Sequence, residues 1–408
     1  MEQTANPMKI SKQNAATAPA LIAGTGLSAL GLLRSLSQAN IPCFCLSPDL
    51  GIVRYSRWSR PLPSQVGHLN EDMPLAQYLE HFPADQAVLF PCSDHWTAEA
   101  ARLPLHIRER FKTIVPEQDS VNIFLDKGLL ATMMQDQGLA HPRTFIITSE
   151  RDFSDIPETI FEQSFLKPRD SQSFFRHFAR KGFFVRSKDD ALKRYSTFAD
   201  DGFEMILQEY IPGPAHSHYF IDGYIGRDGL VKGRLARRRL RMFPLDFGNS
   251  TYLRSISLTD ISPAIESLDR LFAAVNYKGI FSAEFKFDER DQTFKLIEVN
   301  IRPWWYIQFA SACGVNVALM AYNDALGRNI KTVSGYKIGE GLIHSYYDIH
   351  AARALYKRGE LTLIEWIRSW LTSTQSDFSW SDPLPTAAFW SDKLASKFWR
   401  LIDTNGTS

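Results

Sequence analysis

Two short stretches on either side of Asp288 to Gln292 carry the densest chemistry in the chain. In Ala283-Glu284-Phe285-Lys286-Phe287 polar and apolar types alternate. As a strand, Glu284 and Lys286 face one way and Ala283, Phe285 and Phe287 the other. In Leu296-Ile297-Glu298-Val299-Asn300 the same rule puts Leu296, Glu298 and Asn300 on one face. A hairpin through the charged turn lays the two polar rows side by side. Two carboxylates and an amide oxygen suit a hard, oxygen-preferring ion such as Mg²⁺, shared with nucleotide phosphates. Taken alone, the pattern also describes a half-exposed hairpin with a solvated face.

Cations lie upstream. Lys167 ends a short apolar run before Pro168, and Lys127 falls on the preceding helix. Each could meet phosphates as a point charge, and each also reads as a surface lysine. Gln208-Glu209-Tyr210-Ile211 closes a strand before Pro212-Gly213. Its backbone edge could read adenine under the apolar ceiling of Ile211; alone it is an ordinary buried strand. Arg234, Arg237, Arg238, Arg239 and Arg241 crowd one segment. In a strand Arg237, Arg239 and Arg241 share a face and could clamp a carboxylate or phosphate bidentately. A solvated basic edge is the competing reading. Gly24-Thr25-Gly26 with Gly31 mimics a dinucleotide fingerprint, but Ala29 takes the third glycine position. A tight βα turn explains it equally well. Ser93-Asp94 stands at a further strand end. No Ser-His-Asp or Cys-His arrangement stands out.

The elements that position these residues follow from periodicity. The chain of 408 residues is too long for one ordinary core, so two or three subdomains are expected. Ala20 to Ala23, Ile41 to Leu46 and Ala87 to Phe90 read as buried strands. A helix carrying Leu27, Leu30, Leu33 and Leu36 links the first two in a right-handed βαβ unit. Helices are predicted over Leu125–Gln137, Asp189–Ala199, Asp260–Ala274 and Ser311–Leu326. Strands are predicted over Phe165–Pro168, Gly182–Val185 and Met205–Ile211, with a hairpin from Tyr219 to Leu235. Beyond Tyr336 the chain is rich in Trp and Tyr. Leu361 to Leu371 and Phe389 to Ile402 carry wide apolar faces that suit a core cover or a homodimer surface, with docking to a lipid-linked substrate or a partner as the second use.

Composition narrows the classes. Lys plus Arg number 46 against 45 for Asp plus Glu, which argues against a general nucleic-acid binder. Cys43, Cys45, Cys92 and Cys313 form no CxxC pair, so a structural zinc site is not expected. The segment before Ala20 lacks a basic lead into an apolar core, and Ala20 to Leu36 is broken by glycines and Arg34. No secretory signal or transmembrane segment is expected, and the location implied is cytoplasmic.

In order, a helix lysine, a Lys-Pro strand, a Gln-Glu-x-Ile-x-Gly hinge, then Glu and Glu-x-Asn strands resemble the ATP-grasp superfamily over about residues 20 to 330. Arg238 to Gly248 and Glu298 to Trp305 resemble its carboxylate–amine ligase branch, near carbamoyl-phosphate synthase-like and D-aspartate ligase-like proteins. The resemblance implies an α/β fold. Its parts would be a flexible segment 1–19, a parallel pre-ATP-grasp domain at 20–120, an ATP-grasp domain at 121–330 with a lid at about 145–212, and a helical extension at 331–408. It implies that Lys127, Lys167 and Lys181 meet ATP phosphates, and that Gln208, Glu209, Tyr210, Ile211 and His216 line the nucleotide. Glu284, Glu298 and Asn300 would hold two Mg²⁺, with Mn²⁺ as a substitute. Arg302, with Arg239 and Arg241, would stabilise the phosphorylated intermediate, and Asp170 to Lys181 would cover the phosphates. That loop departs from the glycine-rich form usual in the family, having Gln172, Phe174, Phe175, Arg176 and His177. His216 and His218 stand where many relatives carry a ribose-binding acid.

The implied activity is ADP-forming C–N bond formation. A small carboxylic acid becomes an acyl phosphate and an amine, an amino acid among the options, displaces phosphate. A carboxylase or carbamoyl-phosphate-type reaction fits less well, because a biotin-carrier motif and a second synthetase half are lacking. A non-catalytic nucleotide-binding or scaffold protein is the alternative from another class. An NAD-dependent oxidoreductase would rest on the glycine turn alone.

Overall fold

The computed structural model describes residues 17–393 apart from 171–173, 175, 176, 179, 181, 246 and 247. Lys181, most of the expected phosphate-covering loop and the far part of the Phe389–Ile402 segment lie outside the described residues.

Three sheets organise the described residues. The first is parallel. β1 (Ala20–Ala23) pairs with β2 (Cys43–Cys45) and β4 (Ala87–Pro91), and β3 (Ser59–Arg60) and β5 (Phe111–Lys112) extend the edges. Every residue of β1 is buried, as a parallel strand covered on both faces requires. Helix α1 (Gly26–Ser37) buries the four predicted leucines. At the turn between them Gly24 has φ +142°, and a Cβ there would stand 2.7 Å from Cys92 Cβ. The glycine turn is thus accounted for by close packing of β1 against the end of β4.

The second sheet is antiparallel, with β6 (Thr144–Ile147), β9 (Met205–Glu209), β7 (Ser164–Pro168) and β8 (Phe183–Val185) side by side in that order. Its core combines Phe153, Phe161, Leu166, Phe174, Val185 and Leu207 with Tyr195 and Phe198 of α5 (Lys188–Asp200). Helices α2 (Asp94–Ala101), α3 (Gln118–Leu125) and α4 (Lys127–Asp136) precede it. The predicted Leu125–Gln137 helix is therefore shorter, because Asp126 breaks the chain and caps α4 by accepting from Gly128 N and Leu129 N at 2.7 and 3.0 Å.

The third sheet holds the acidic strands. β10 (His218–Ile225), β11 (Val231–Phe243), β12 (Asn249–Ile256), β13 (Gly279–Asp288), β14 (Thr293–Asn300), β15 (Gly341–Ile343) and β16 (Ser373–Gln375) run in the order β14-β13-β10-β11-β12-β15-β16. One face packs on α6 (Ser262–Ala274) through Ala283, Phe285, Leu296 and Val299. The other meets α7 (Ile307–Cys313) and α8 (Val317–Ala325), which join the cluster built on α1. The single helix predicted over Ser311–Leu326 is in fact two, because Gly314 turns left-handed at φ +106° and ends the first.

The C-terminal part supplies α9 (Ser345–Lys357) and α10 (Leu363–Leu371), but also adds β15 and β16 to the large sheet. It is fastened to α1 and to the segment before β3 by Asp382, which accepts from Arg34 Nε at 3.1 Å, Ser56 Oγ at 2.8 Å and Arg57 N at 2.9 Å. Among the described residues no helix is long and apolar enough to cross a membrane.

Candidate active site

β13 and β14 place Glu284 directly opposite Glu298, and Ser282 opposite Asn300. The pairing then slips, with Phe285 facing Leu296, so Ile297 is an extra residue in β14. Such a bulge re-aims side chains by one position. Leu296 therefore enters the core with Phe285 instead of sharing the face of Glu298 and Asn300 as strict alternation predicts. The bulge lets one short strand fill the core at Leu296 and still present Glu298 and Asn300 beside Glu284.

Glu284 is the best-supported carboxylate. Its Oε1 meets His218 Nδ1 at 2.6 Å and accepts from Arg239 Nη2 at 3.1 Å. Burial alone would raise its pKa; Arg239 and His218 outweigh burial and keep the carboxylate ionised. Glu298 is exposed and accepts from Asn300 Nδ2 at 3.1 Å. Both carboxylates keep Oε2 outside these bonds. Two adjacent carboxylates with an amide are a hard-oxygen donor set, and they fit Mg²⁺. Among the described residues there is no group of three or more His, Cys, Asp or Glu that could form an all-protein metal cage.

The lysine side lies within electrostatic reach of this pair. Lys167, at the end of β7, donates from Nζ to Gln208 Oε1 at 2.8 Å, and Gln208 Nε2 donates to Thr144 at 3.0 Å. Withdrawal from water pulls the Lys167 pKa down to about 8; Lys127 adds to this, while Glu298 and Glu284 oppose it. Lys127, Lys167, Gln208, Glu284 and Glu298 thus belong to one electrostatic neighbourhood. Tyr210 packs on Phe165 and takes Lys286 Nζ over its ring at 4.8 Å, and Ile211 is buried beside it. The Glu209 carboxylate turns elsewhere. It accepts from Arg143 N at 3.1 Å and Arg290 Nη2 at 2.7 Å, bracing the hinge against the β13–β14 turn. His216 is exposed, and its carbonyl accepts from Arg238.

The arginines separate. Arg239 joins the site, donating to Ser250 Oγ at 2.8 Å as well as to Glu284. Arg302 donates from Nε to Asp94 Oδ1 at 2.5 Å, at the start of α2 and the C-terminal end of the parallel sheet. Burial works against its charge, but Asp94 outweighs burial and holds the guanidinium charged. Arg241 does not join them. Leu240 bulges out of register between Arg239 and Arg241, and Arg241 clamps Asp348 of α9 with two bonds of 2.8 Å. Arg237 is paired with Asp222 at 2.6 Å and lies 3.9 Å over the Phe220 ring. The single face expected for Arg239 and Arg241 is therefore broken by this bulge.

Sequence reading passed over His218 as a partner of Glu284. The signal was its place on β10, which pairs with β13 so that Phe220 faces Glu284 and His218 faces Lys286. Asp94 was noted only as a polar strand end, and its pairing with Arg302 spans two sheets.

The low pKa of Lys167 makes a pH prediction. A phosphate chain is held best by the charged ammonium, so affinity is full below about pH 8 and falls as pH rises through it. Between pH 7 and 9 the Kd for ATP is expected to rise about tenfold, the change in protonated fraction across that interval. Burial, helped by Arg239, also pulls the Lys286 pKa down to about 8. Calorimetric titration of Lys167→Met should therefore show a weaker and much flatter pH dependence; an unchanged slope would assign the effect to Lys286 instead.

No family model matches the chain. It is 21% identical over 320 residues to a D-aspartate ligase of Enterococcus faecium (strain Aus0004), covering 74% of this chain and 76% of that one. Its fold is similar to that of N5-carboxyaminoimidazole synthetase from Staphylococcus aureus, with a TM-score of 0.60 at 12% identity over 79% of this chain and 80% of that chain. It is similar also to biotin carboxylase from Campylobacter jejuni in complex with β-γ-ATP, with a TM-score of 0.61 at 17% identity over 81% and 75% of the two chains. The acidic hairpin, the strands that carry the lysine and glutamine, and these likenesses agree on an ATP-grasp fold, and the chain is similar in sequence to a carboxylate–amine ligase.

Proposed function

We propose that the chain is an ADP-forming ligase that joins a small carboxylic acid to an amine, with ATP between the sheet of residues 144–209 and the acidic hairpin. The observation that carries this is that Lys167, bonded to Gln208, lies within the electrostatic reach of Glu284 and Glu298, since each half alone reads as ordinary structure. Lys127 and Lys167 hold the phosphate chain. The hinge from Gln208 to Ile211 bounds the base, and the sheet of residues 144–209 acts as the lid. Glu284, Glu298 and Asn300 are the residues that would hold Mg²⁺, two ions being the number proposed. When bound, the metal offsets charge on the phosphates.

In the first step a carboxylate oxygen of the acid attacks the γ-phosphorus and the bond to ADP breaks. In the second, the amine nitrogen attacks the acyl carbon, phosphate leaves and a proton is released. Such chemistry needs positioning and electrostatic stabilisation more than a protein nucleophile. Arg302, charged and fixed by Asp94, faces the acyl phosphate from the parallel-sheet side, and Arg239 faces it from β11. His218 keeps the Glu284 carboxylate oriented. Because burial lowers the His218 pKa, at neutral pH it is a neutral donor to Glu284.

A screen of paired acids and amines, amino acids included, tests this. ADP and phosphate should appear only when both partners are present. AMP and pyrophosphate as products would overturn the acyl-phosphate route. ATP binding with no turnover across a broad panel would favour a non-catalytic module.

A further inference from the structure

A polar depression of about 410 Å³ opens at the far end of the large sheet, between the β10–β11 turn and the segment after α8. Arg227, Asp228, Lys232, Asp324, Arg328 and Asn329 line it. The length of β10 separates it from His218, roughly 23 Å at the usual rise of a strand.

Its charges do not cancel. Asp324 is buried and saturated, accepting from Tyr224 Oη at 2.6 Å, Arg227 N at 2.8 Å and Arg227 Nε at 3.1 Å. Asp228 accepts from Leu230 N at 3.1 Å and from Lys232 Nζ. These two acids balance Arg227 and Lys232. Arg328 remains; it donates from Nη1 to Asn323 Oδ1 at 3.1 Å, and its guanidinium lies 5.5 Å from the Tyr322 ring centre. Among the described residues no carboxylate is within ion-pair distance of it. Arg227 keeps both terminal nitrogens outside its bonds to Asp324, with Nη2 lying over Gly327 beside Arg328. Two guanidinium groups and an ammonium, with one positive charge in excess, thus surround a cavity large enough for a small molecule.

We propose that this depression binds a phosphate group, as a second anion site separate from the nucleotide site. Planar guanidinium forks match phosphate oxygens in pairs, and the acids that fix Arg227 and Lys232 hold those donors in place before binding. The proposal does not depend on the ligase reading.

Hydrogen exchange on the full chain, with peptides resolved, tests it. Inorganic phosphate and glycerol 3-phosphate are titrated against sodium chloride at matched ionic strength. The expected result is slowed exchange in residues 226–232 and 327–331. The half-saturating concentration should shift upward at least about tenfold in Arg328→Gln, a change at an exposed side chain that leaves the hinge peptides 205–211 as in the wild type. Stronger protection by glycerol 3-phosphate would assign a phosphorylated metabolite, and stronger protection by inorganic phosphate the free ion. Equal protection by chloride, no slowing at these segments, or an unchanged half-saturation in Arg328→Gln would overturn the proposal.

Discussion

Glu298→Gln is expected to cut ADP formation by about two to three orders of magnitude while leaving the melting temperature within a degree or two of wild type. The two halves of this expectation have separate causes. Glu298 is exposed and holds no ion pair among the described residues, so its loss costs the fold little. Its carboxylate nevertheless stands directly opposite Glu284 in the position proposed for the metal. Removing one fixed charge from a site where charge develops typically costs 10²- to 10³-fold. Glu284→Gln is a poorer probe, because it also unpairs Arg239 and His218. A Glu298→Gln enzyme that keeps more than about a tenth of wild-type turnover would remove β14 from the metal site. The pair of measurements matters, since a non-catalytic nucleotide binder would lose nothing measurable in a turnover assay.

How far the site could be read from the sequence depended on how local its signals were. Strand alternation carried Glu284, Lys286, Glu298 and Asn300, because each residue's face is set by its own neighbours. The same rule misplaced Leu296: a bulge at Ile297 is decided by what the core across the strand needs, and Leu296 fits either face in sequence terms. The three central strands of the parallel sheet, β1, β2 and β4, were legible as apolar runs, whereas β3, β5, β12, β15 and β16 were not foreseen. β15 and β16 have three residues each, and their place in the large sheet comes from partners far along the chain. The arginine cluster shows the limit most clearly. Arg237, Arg239 and Arg241 are identical in type and spacing, yet their partners Asp222, Glu284 and Asp348 give them three different roles. Nothing within a few residues of Arg241 announces an aspartate 107 positions later.

That last contact carries the second large effect. Asp348 is fully buried and accepts from Arg241 Nε and Nη2 at 2.8 Å each, Thr251 Oγ1 at 3.0 Å, and the indole nitrogens of Trp366 and Trp370 at 2.9 Å each. It joins β11 and β12 to α9 and α10, two residues along from Arg239. Asp348→Ala would leave a guanidinium, a hydroxyl and two indoles without their acceptor. Breaking a buried pair from one side costs about 3–5 kcal/mol, and the melting temperature should fall by about 5–15 °C. Arg241→Met combined with Asp348→Leu removes both charges and fills their volume, so much of that loss should be recovered, because a buried pair is replaceable by apolar side chains where a lone charge is not. The double variant also decides what Arg241 does. If it only ties β11 to the C-terminal helices, ADP formation should stay within about tenfold of wild type once folding is restored. A double variant that melts like the wild type but has lost turnover by more than about a hundredfold would return Arg241 to the substrate, and would require α9 and α10 to move away from β11 during the reaction.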